Sequence, residues 1–297
     1  MNLNSKISII INCYNGSKYL RETLKSIQFQ TFKNFEVIFW DNSSTDNSKE
    51  IFKSIKDKRF KYYYSTKKTS LYKGRNSAIK KAKGKYLSFI DTDDIWTKDK
   101  LKIQHHYIEN NFVDIVYSNL WIFKDSIKNK KLYLNNFLES DNIKTSILEK
   151  SSVTLLTSLI KKKIFNKYKN PFNTKFNHIG DLDFFFKISK NYKFKFINKP
   201  MAYYRLHDLN LSKTKRSDEV KELKSWINAN KKSINKFDIL KLKKRIKRIQ
   251  FIDFKKNNKI LECLKLIFFS DLFHVKFSDL IVLVLPRLIL KKILWWY

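Results

Sequence analysis

What most limits the fold of this chain is a pattern repeated near its start: a short apolar run, a polar turn, then apolar residues at helical spacing. Ile7 to Ile11 is apolar and β-branched apart from Ser8, which suits a buried parallel strand. The turn Asn12-Cys13-Tyr14-Asn15-Gly16 follows, and Tyr19, Leu20, Leu24 and Ile27 then recur at helical spacing. Phe35 to Trp40 gives a second buried strand, completing a βαβ unit. Asp41 to Asp46 forms a turn into another helix, Phe60 to Tyr64 reads as a third strand, residues 76–83 as a helix and Tyr86 to Ile90 as the next strand. This alternation predicts an α/β fold with a mostly parallel, doubly wound sheet, whose ligands bind outside the carboxyl ends of the strands. Three polar turns therefore converge on one edge: Asn12 to Asn15, Asp41 to Asp46 and Asp91 to Asp94.

The last of these turns is the most acidic. Lys85-Tyr86-Leu87-Ser88-Phe89-Ile90 runs directly into Asp91-Thr92-Asp93-Asp94. Packed carboxylates repel one another, so such a cluster suits a hard cation, Mg²⁺ or Mn²⁺. Turns and helix N-caps also favour aspartate, and Asp94 stands where it would cap a helix beginning near Trp96. The chain has 4 glycines, Gly16, Gly74, Gly84 and Gly180, all in or beside candidate functional turns. Such scarcity predicts backbone conformations that other residues tolerate poorly.

A formal charge of +35 raises the possibility of a nucleic-acid ligand. Against it, Lys far outnumbers Arg, in a composition also rich in Asn, Ile and Phe, and neither a zinc-finger spacing nor an RNA-recognition sheet motif is present. The charge is read as a solvated surface biased toward anionic membrane. Cys13 and Cys263 lie far apart in unlike settings, which implies no disulfide framework and is consistent with a reducing cytoplasm. Met1 to Lys6 leads straight into a strand and lacks the long apolar core of a signal peptide.

Farther along, Asp114 to Ser118 reads as a strand, Gly180 to Ile188 as a helix, and Tyr192 to Ile197 and Met201 to Tyr204 as two short strands. Beyond about Ser217 the pattern is helical and strongly basic, which predicts a domain over 1–212 followed by a helical extension over 213–297. Leu280 to Leu290, followed by Lys291-Lys292-Ile293-Leu294-Trp295-Trp296-Tyr297, is apolar with basic and aromatic flanks. Pro286-Arg287 interrupts it, and it is shorter than the ~20 apolar residues a transmembrane helix needs. It reads as an interfacial anchor or as a helix packed on the preceding domain.

Between Ile7 and Ser212 the sequence resembles glycosyltransferase family 2, the inverting nucleotide-sugar enzymes of the GT-A fold. The resemblance is carried by Ser8 to Asn15, Leu24-Lys25-Ser26-Ile27, Gln30 to Glu36, Asp41 to Asp46, Gly74-Arg75-Asn76, Ala82 to Tyr86, Asp91 to Trp96, the Asp181 segment and Tyr204-Arg205-Leu206-His207, in that order. It implies that Asp91 and Asp93 form the Asp-x-Asp pair meeting ribose and metal–diphosphate, with Asp93 the more direct ligand of Mg²⁺ or Mn²⁺ and His207 a further group near the metal. Tyr14 would stack on the nucleobase, Asn12, Asp41 and Asn42 would meet the nucleoside, and Arg75 would pair with the diphosphate or an aspartate of the metal loop. Asp181 would be the general base, with Asp183 in reserve. Two departures from the family pattern, Asn42 where many members have aspartate and Gly180 where many have glutamate, leave the donor open between UDP- and dTDP-sugars and the acceptor side undefined. The resemblance further implies a glycan acceptor, lipid-linked if the basic tail lies on a membrane, and an enzyme of bacterial surface-polysaccharide synthesis peripheral to the cytoplasmic face. The rival classes are a nucleic-acid-binding protein and a non-catalytic nucleotide-binding relative.

Overall fold

The computed structural model describes residues 6–134, 143–210 and 214–268. The chain divides into two compact units, Met1–Asn210 and Leu211–Tyr297.

In the first unit, strands β1 (Ile7–Cys13), β2 (Phe35–Asp41), β3 (Phe60–Tyr64) and β4 (Tyr86–Phe89) run parallel in the order β3-β2-β1-β4. β1 is buried throughout, as its unbroken apolar run requires. Helix α1 (Ser17–Gln28) covers this sheet with Leu20, Thr23, Leu24 and Ile27, spaced to share one face. Helices α2 (Ser48–Lys53) and α3 (Leu71–Lys81) complete the crossovers. α3 begins five residues earlier than its sequence pattern suggests, and its first turn carries Tyr72 into the interior.

Beyond β4 the sheet becomes mixed. The two-residue strand β5 (Ile95–Trp96) is followed by α4 (Lys100–Asn110), β6 (Ile115–Lys124), β7 (Ser126–Leu132), α5 (Ile143–Lys150), β8 (Leu159–Lys161), α6 (Lys162–Asn166), α7 (Gly180–Ile188) and β9 (Phe194–Arg205). The order continues β4-β8-β6-β9-β5, with β7 paired to β6. β8 is antiparallel to both β4 and β6, whereas β6 and β9 are parallel. The two short strands expected over 192–204 are one strand, β9, whose register against β6 shifts around Asn119 and so accommodates Pro200.

Asp94 does not cap a helix. Ile95–Trp96 pairs antiparallel with β9, and α4 starts only at Lys100. The glycines also differ from expectation, since none has positive φ. Each instead permits a close approach. A Cβ on Gly84 would lie 2.6 Å from the backbone nitrogen of Ser8, and one on Gly74 would lie 2.4 Å from Asn12 Oδ1.

The polar interruption of β1 has its own partner: Ser8 Oγ donates to the buried Glu36 carboxylate at 2.7 Å. Lys83 N and Lys61 Nζ, each at 2.6 Å, also donate to that carboxylate. Burial pushes the Glu36 carboxyl up, but these hydrogen bonds outweigh it and hold the group below the usual carboxylate range.

The second unit contains α8 (Arg216–Asn230), α9 (Lys236–Lys256) and α10 (Ile260–Phe268), with a short 3₁₀ turn at Lys231–Ser233. Val220, Leu223 and Ile227 form the buried stripe of α8, and Asn235 caps α9 by accepting from Asp238 N at 2.7 Å. Phe237 and Leu240 are exposed on α9. No described helix is long and apolar enough to cross a membrane. The terminal apolar segment, 280–297, lies outside the described residues.

Candidate functional site

The turns after β1 and β2 are joined by side chains that satisfy each other's main chains. Asn15 adopts φ 51°, a left-handed conformation that asparagine tolerates. Its Oδ1 accepts from Thr45 N at 2.8 Å, while Ser44 Oγ accepts from Asn15 N at 3.0 Å. Asp46 caps two main-chain groups, accepting from Ser17 N at 2.9 Å and Ser48 N at 3.1 Å. Gly16 packs so closely on the acidic turn that a Cβ there would lie 2.5 Å from Thr92 Oγ1. All three polar turns are thereby fixed against one another at the sheet edge.

Tyr14 stands open on this edge, 43% exposed, with Lys68 Nζ 3.7 Å from its ring centroid. Asp41, at the end of β2, is buried and accepts from the Tyr62 hydroxyl at 2.5 Å and Ser44 N at 2.8 Å. Burial, reinforced by the Asp41 hydrogen bond, pushes the Tyr62 hydroxyl well up, so it remains a proton donor. Asn42 is engaged at both ends of its amide. It donates to Thr69 O at 2.8 Å and accepts from Thr69 N at 3.1 Å and Thr69 Oγ1 at 2.9 Å. Instead of projecting into the open edge, it pins the loop that carries Lys68. Asn12, 9% exposed, points toward Gly74 of α3, and its Oδ1 has no hydrogen-bond partner among the described residues.

The acidic turn separates its carboxylates. Asp91 Oδ1 pairs with Nη2 of the buried Arg75 at 2.6 Å. Asp93 faces the other way, its Oδ2 lying 2.7 Å from His207 Nε2 and 3.4 Å from Asn210 Nδ2. Asp94 is 1% exposed and accepts from Arg205 N at 3.0 Å. Burial first, then the charges of Asp93 and Asp91, push its carboxyl well above the usual range. Arg205 braces the turn further by donating to Asp93 O at 2.9 Å and to Glu22 at 2.7 Å. Among the described residues, no three His, Cys, Asp or Glu side chains converge as a metal cluster.

Asp181 reaches the same edge through aromatic packing. Phe184 of α7 stacks on Phe165 and packs on Phe172, each with ring centroids 4.9 Å apart. Phe172 meets Tyr72 of α3 at 5.5 Å, and Asn76 clamps its main chain, donating to Phe172 O at 2.8 Å and accepting from Phe172 N at 3.1 Å. These contacts set the first turn of α7 over α3. The Tyr72 hydroxyl accepts from Asp181 N at 3.2 Å and lies 3.5 Å from Asp181 Oδ1. Asp183, half-buried two residues on, falls on a different side of the helix.

Sequence reasoning missed Tyr72, Tyr62, Arg205 in its bracing role, and Asn210. Only Tyr72 had a readable signal: it precedes Arg75 by three residues, one turn of the same helix.

Residues 8–188 match the sequence model described as Glycosyl transferase family 2. WfaP of Escherichia coli, a UDP-Glc:alpha-D-GlcNAc-diphosphoundecaprenol beta-1,3-glucosyltransferase, is 40% identical over 121 residues, covering 41% of this chain and 48% of that protein. That match therefore takes in less than half of WfaP. WfgD of Escherichia coli, named for the same reaction, is 28% identical over 221 residues, covering 73% of this chain and 82% of WfgD. Among solved structures, S. aureus TarS 1-349 in complex with UDP superposes with a TM-score of 0.59 at 19% identity, covering 98% of this chain and 78% of the TarS chain. The GT-A fold is common to both. The family model spans more than half of the chain over the strands and turns that build the site, and the chain belongs to glycosyltransferase family 2.

Proposed function

We propose that this protein is an inverting glycosyltransferase that moves a sugar from a UDP- or dTDP-sugar to a hydroxyl of a lipid-linked glycan during bacterial surface-polysaccharide synthesis. The observation that carries the reading is the meeting, at one sheet edge, of an open aromatic ring, an arginine–aspartate pair, a histidine–aspartate pair and a separate carboxylate at a helix start. UDP as the donor nucleotide is supported by the UDP complex of TarS and by the reaction named for WfaP, and the lipid-linked acceptor by that same name.

In this reading Tyr14 stacks on the base, Asp41 meets the nucleoside, and Asn42 acts through the loop it pins. Asn12 offers its unpartnered Oδ1 on the same side. The guanidinium of Arg75 divides its hydrogen bonds between Asp91 and a diphosphate oxygen, which its planar fork allows. Asp93 suits Mg²⁺ or Mn²⁺, because such ions are commonly held by one or two carboxylates together with phosphate oxygens and water, and His207 Nε2, 2.7 Å from its Oδ2, would steady that carboxylate or join it at the ion. The chemistry supplied by a bound ion is neutralisation of charge on the departing diphosphate. Asp181 takes the proton of the acceptor hydroxyl as its oxygen bonds to the anomeric carbon, and the carbon–oxygen bond to the diphosphate breaks on the opposite face. Asp183 is the reserve for that role.

The basic second unit, with Phe237 and Leu240 exposed among lysines on α9, supports peripheral binding to the anionic cytoplasmic face of the membrane, together with the terminal segment 278–297.

Thermal stabilisation by a panel of UDP-, dTDP- and GDP-sugars, with Mn²⁺, Mg²⁺ or chelator, tests the reading. One nucleotide family should stabilise the protein in a metal-dependent manner, and Asp93→Asn should remove the metal dependence while preserving the unliganded melting temperature. Stabilisation by DNA or RNA, steeply salt-dependent and without a nucleotide-sugar response, would replace this function with nucleic-acid binding.

A further inference from the structure

Tyr72 belongs to none of the motifs that carry the family resemblance, yet its hydroxyl meets Asp181 and its ring lies beside Arg75. It is buried on the first turn of α3. Its hydroxyl accepts the main-chain N–H of Asp181 at 3.2 Å and stands 3.5 Å from Asp181 Oδ1, while Leu182 N caps that oxygen at 2.9 Å. One helical turn along, the Arg75 guanidinium lies 5.4 Å from the centroid of the same ring and holds Asp91 at 2.6 Å. The residue before Asp181 is glycine, and a Cβ there would lie 2.5 Å from Tyr72 Cε2. The ring therefore fills the space that a side chain at position 180 would need. It joins the Arg75–Asp91 pair on one side of the edge to the Asp181 carboxylate on the other.

We propose that Tyr72 is a positioning residue for the Asp181 carboxylate: it fixes the first turn of α7, selects the rotamer of Asp181 and couples that group to the Arg75–Asp91 pair that receives the donor. The proposal rests on the reading of Asp181 as general base. Its physical basis is geometric. A carboxylate that takes a proton in a displacement must stand within hydrogen-bond reach of the attacking hydroxyl, and an error of about 1 Å in such an arrangement can reduce the rate ~100-fold. A half-buried aspartate at the first turn of a helix has several staggered rotamers, and a buried hydroxyl on a neighbouring helix restricts that choice. Burial, and after it the charge of Asp181, pushes the Tyr72 hydroxyl far above its ordinary range, so it stays protonated and able to donate. The ring's contact with Phe172 holds the hydroxyl in place.

The test compares Tyr72→Phe, Asp181→Asn and wild type. Tyr72→Phe keeps the ring that fills the space beside Gly180 and removes only the hydroxyl. Turnover is followed with UDP-glucose and a GlcNAc-diphospholipid. UDP-glucose hydrolysis serves as a second readout, because water activated in place of the acceptor needs the same base. UDP binding is measured by calorimetry in all three proteins. Losing the hydroxyl that holds the Asp181 main-chain N–H and faces its carboxylate predicts a fall in kcat of about tenfold or more for Tyr72→Phe, in transfer and hydrolysis alike, with donor KM and UDP affinity within about twofold of wild type. An unchanged kcat would overturn the proposal, as would parallel losses in kcat and UDP affinity, which would assign Tyr72 to the donor site. Asp181→Asn separates this failure from that of the underlying reading. If that variant retains wild-type kcat, Asp181 is not the base and the assignment of Tyr72 falls with it. If Asp181→Asn is inactive and Tyr72→Phe is fully active, only the assignment of Tyr72 falls.

Discussion

Turns Asn12 to Asn15 and Asp41 to Asp46 meet through hydrogen bonds to main-chain groups and through glycine contacts, whereas Asp181 arrives on a helix docked by phenylalanine rings. On the first side the chain returns to the same edge after every crossover, so short polar side chains suffice to lock neighbouring turns. On the second side α7 follows a mixed stretch of sheet, and bulky ring packing spans most of the distance, with the Asn76 clamp on Phe172 as its main-chain anchor. Backbone contacts fix a site rigidly and tolerate no added atom. Ring packing spreads the constraint over several side chains, each able to yield slightly.

That contrast can be broken at two glycines whose added Cβ would meet different kinds of neighbour, backbone at Gly84 and a ring edge at Gly180. Gly84→Ala places a methyl 2.6 Å from the backbone nitrogen of Ser8, whereas Gly180→Ala places one 2.5 Å from a tyrosine ring edge. Despite the similar distances, Gly84→Ala should cost more, about 3 kcal/mol against 1–2 kcal/mol for Gly180→Ala, by urea denaturation. Equal costs would mean that backbone and ring packing yield alike to an added methyl.

A smaller effect is expected from Arg75→Gln, which removes the cation from Asp91 and leaves a shorter, neutral amide in its place. Charge-assisted hydrogen bonds to a diphosphate predict a 10–100-fold weaker Kd for UDP by calorimetry, with the melting temperature nearly preserved. A large loss of stability with unchanged UDP affinity would move Arg75 from ligand binding to scaffold.

The smallest effect is a slope in pH. The folded-state pKa of Glu36 is depressed below the usual carboxylate range, so its contribution is fully present above that range and is lost as pH falls through the lower folded value. The stability gap between wild type and Glu36→Gln should therefore be flat from about pH 5 to 7 and shrink in acid below about pH 4.5. A gap that widens in acid would show that the hydrogen bonds to Glu36 do not favour its charged form.

Much of the first side was legible because its signals are local. The strands Ile7–Cys13, Phe35–Asp41 and Phe60–Tyr64 follow from apolar runs, and the three turns follow from where those runs stop. Gly180 was legible only as an oddity, because what it accommodates is a ring 108 positions earlier in the sequence. The acidic turn shows the same limit. Its composition announced a charged site, but nothing in Asp91-Thr92-Asp93-Asp94 tells which carboxylate meets Arg75, which meets His207 and which is buried against β9. Similarly, glycine scarcity signalled constraint correctly and its kind incorrectly: steric closeness rather than positive φ.

The sequence by itself determined the parallel strands, the polar edge at their carboxyl ends and the residue types gathered there, because hydrophobic periodicity and turn chemistry act over a few residues. Tertiary structure alone decided the partners: Asp91 with Arg75, Asp93 with His207 from 114 residues away, and Asp181 with Tyr72 from 109. Charge pairing and steric exclusion depend on distances of a few ångströms between segments remote in sequence, and those distances exist only once the core has packed.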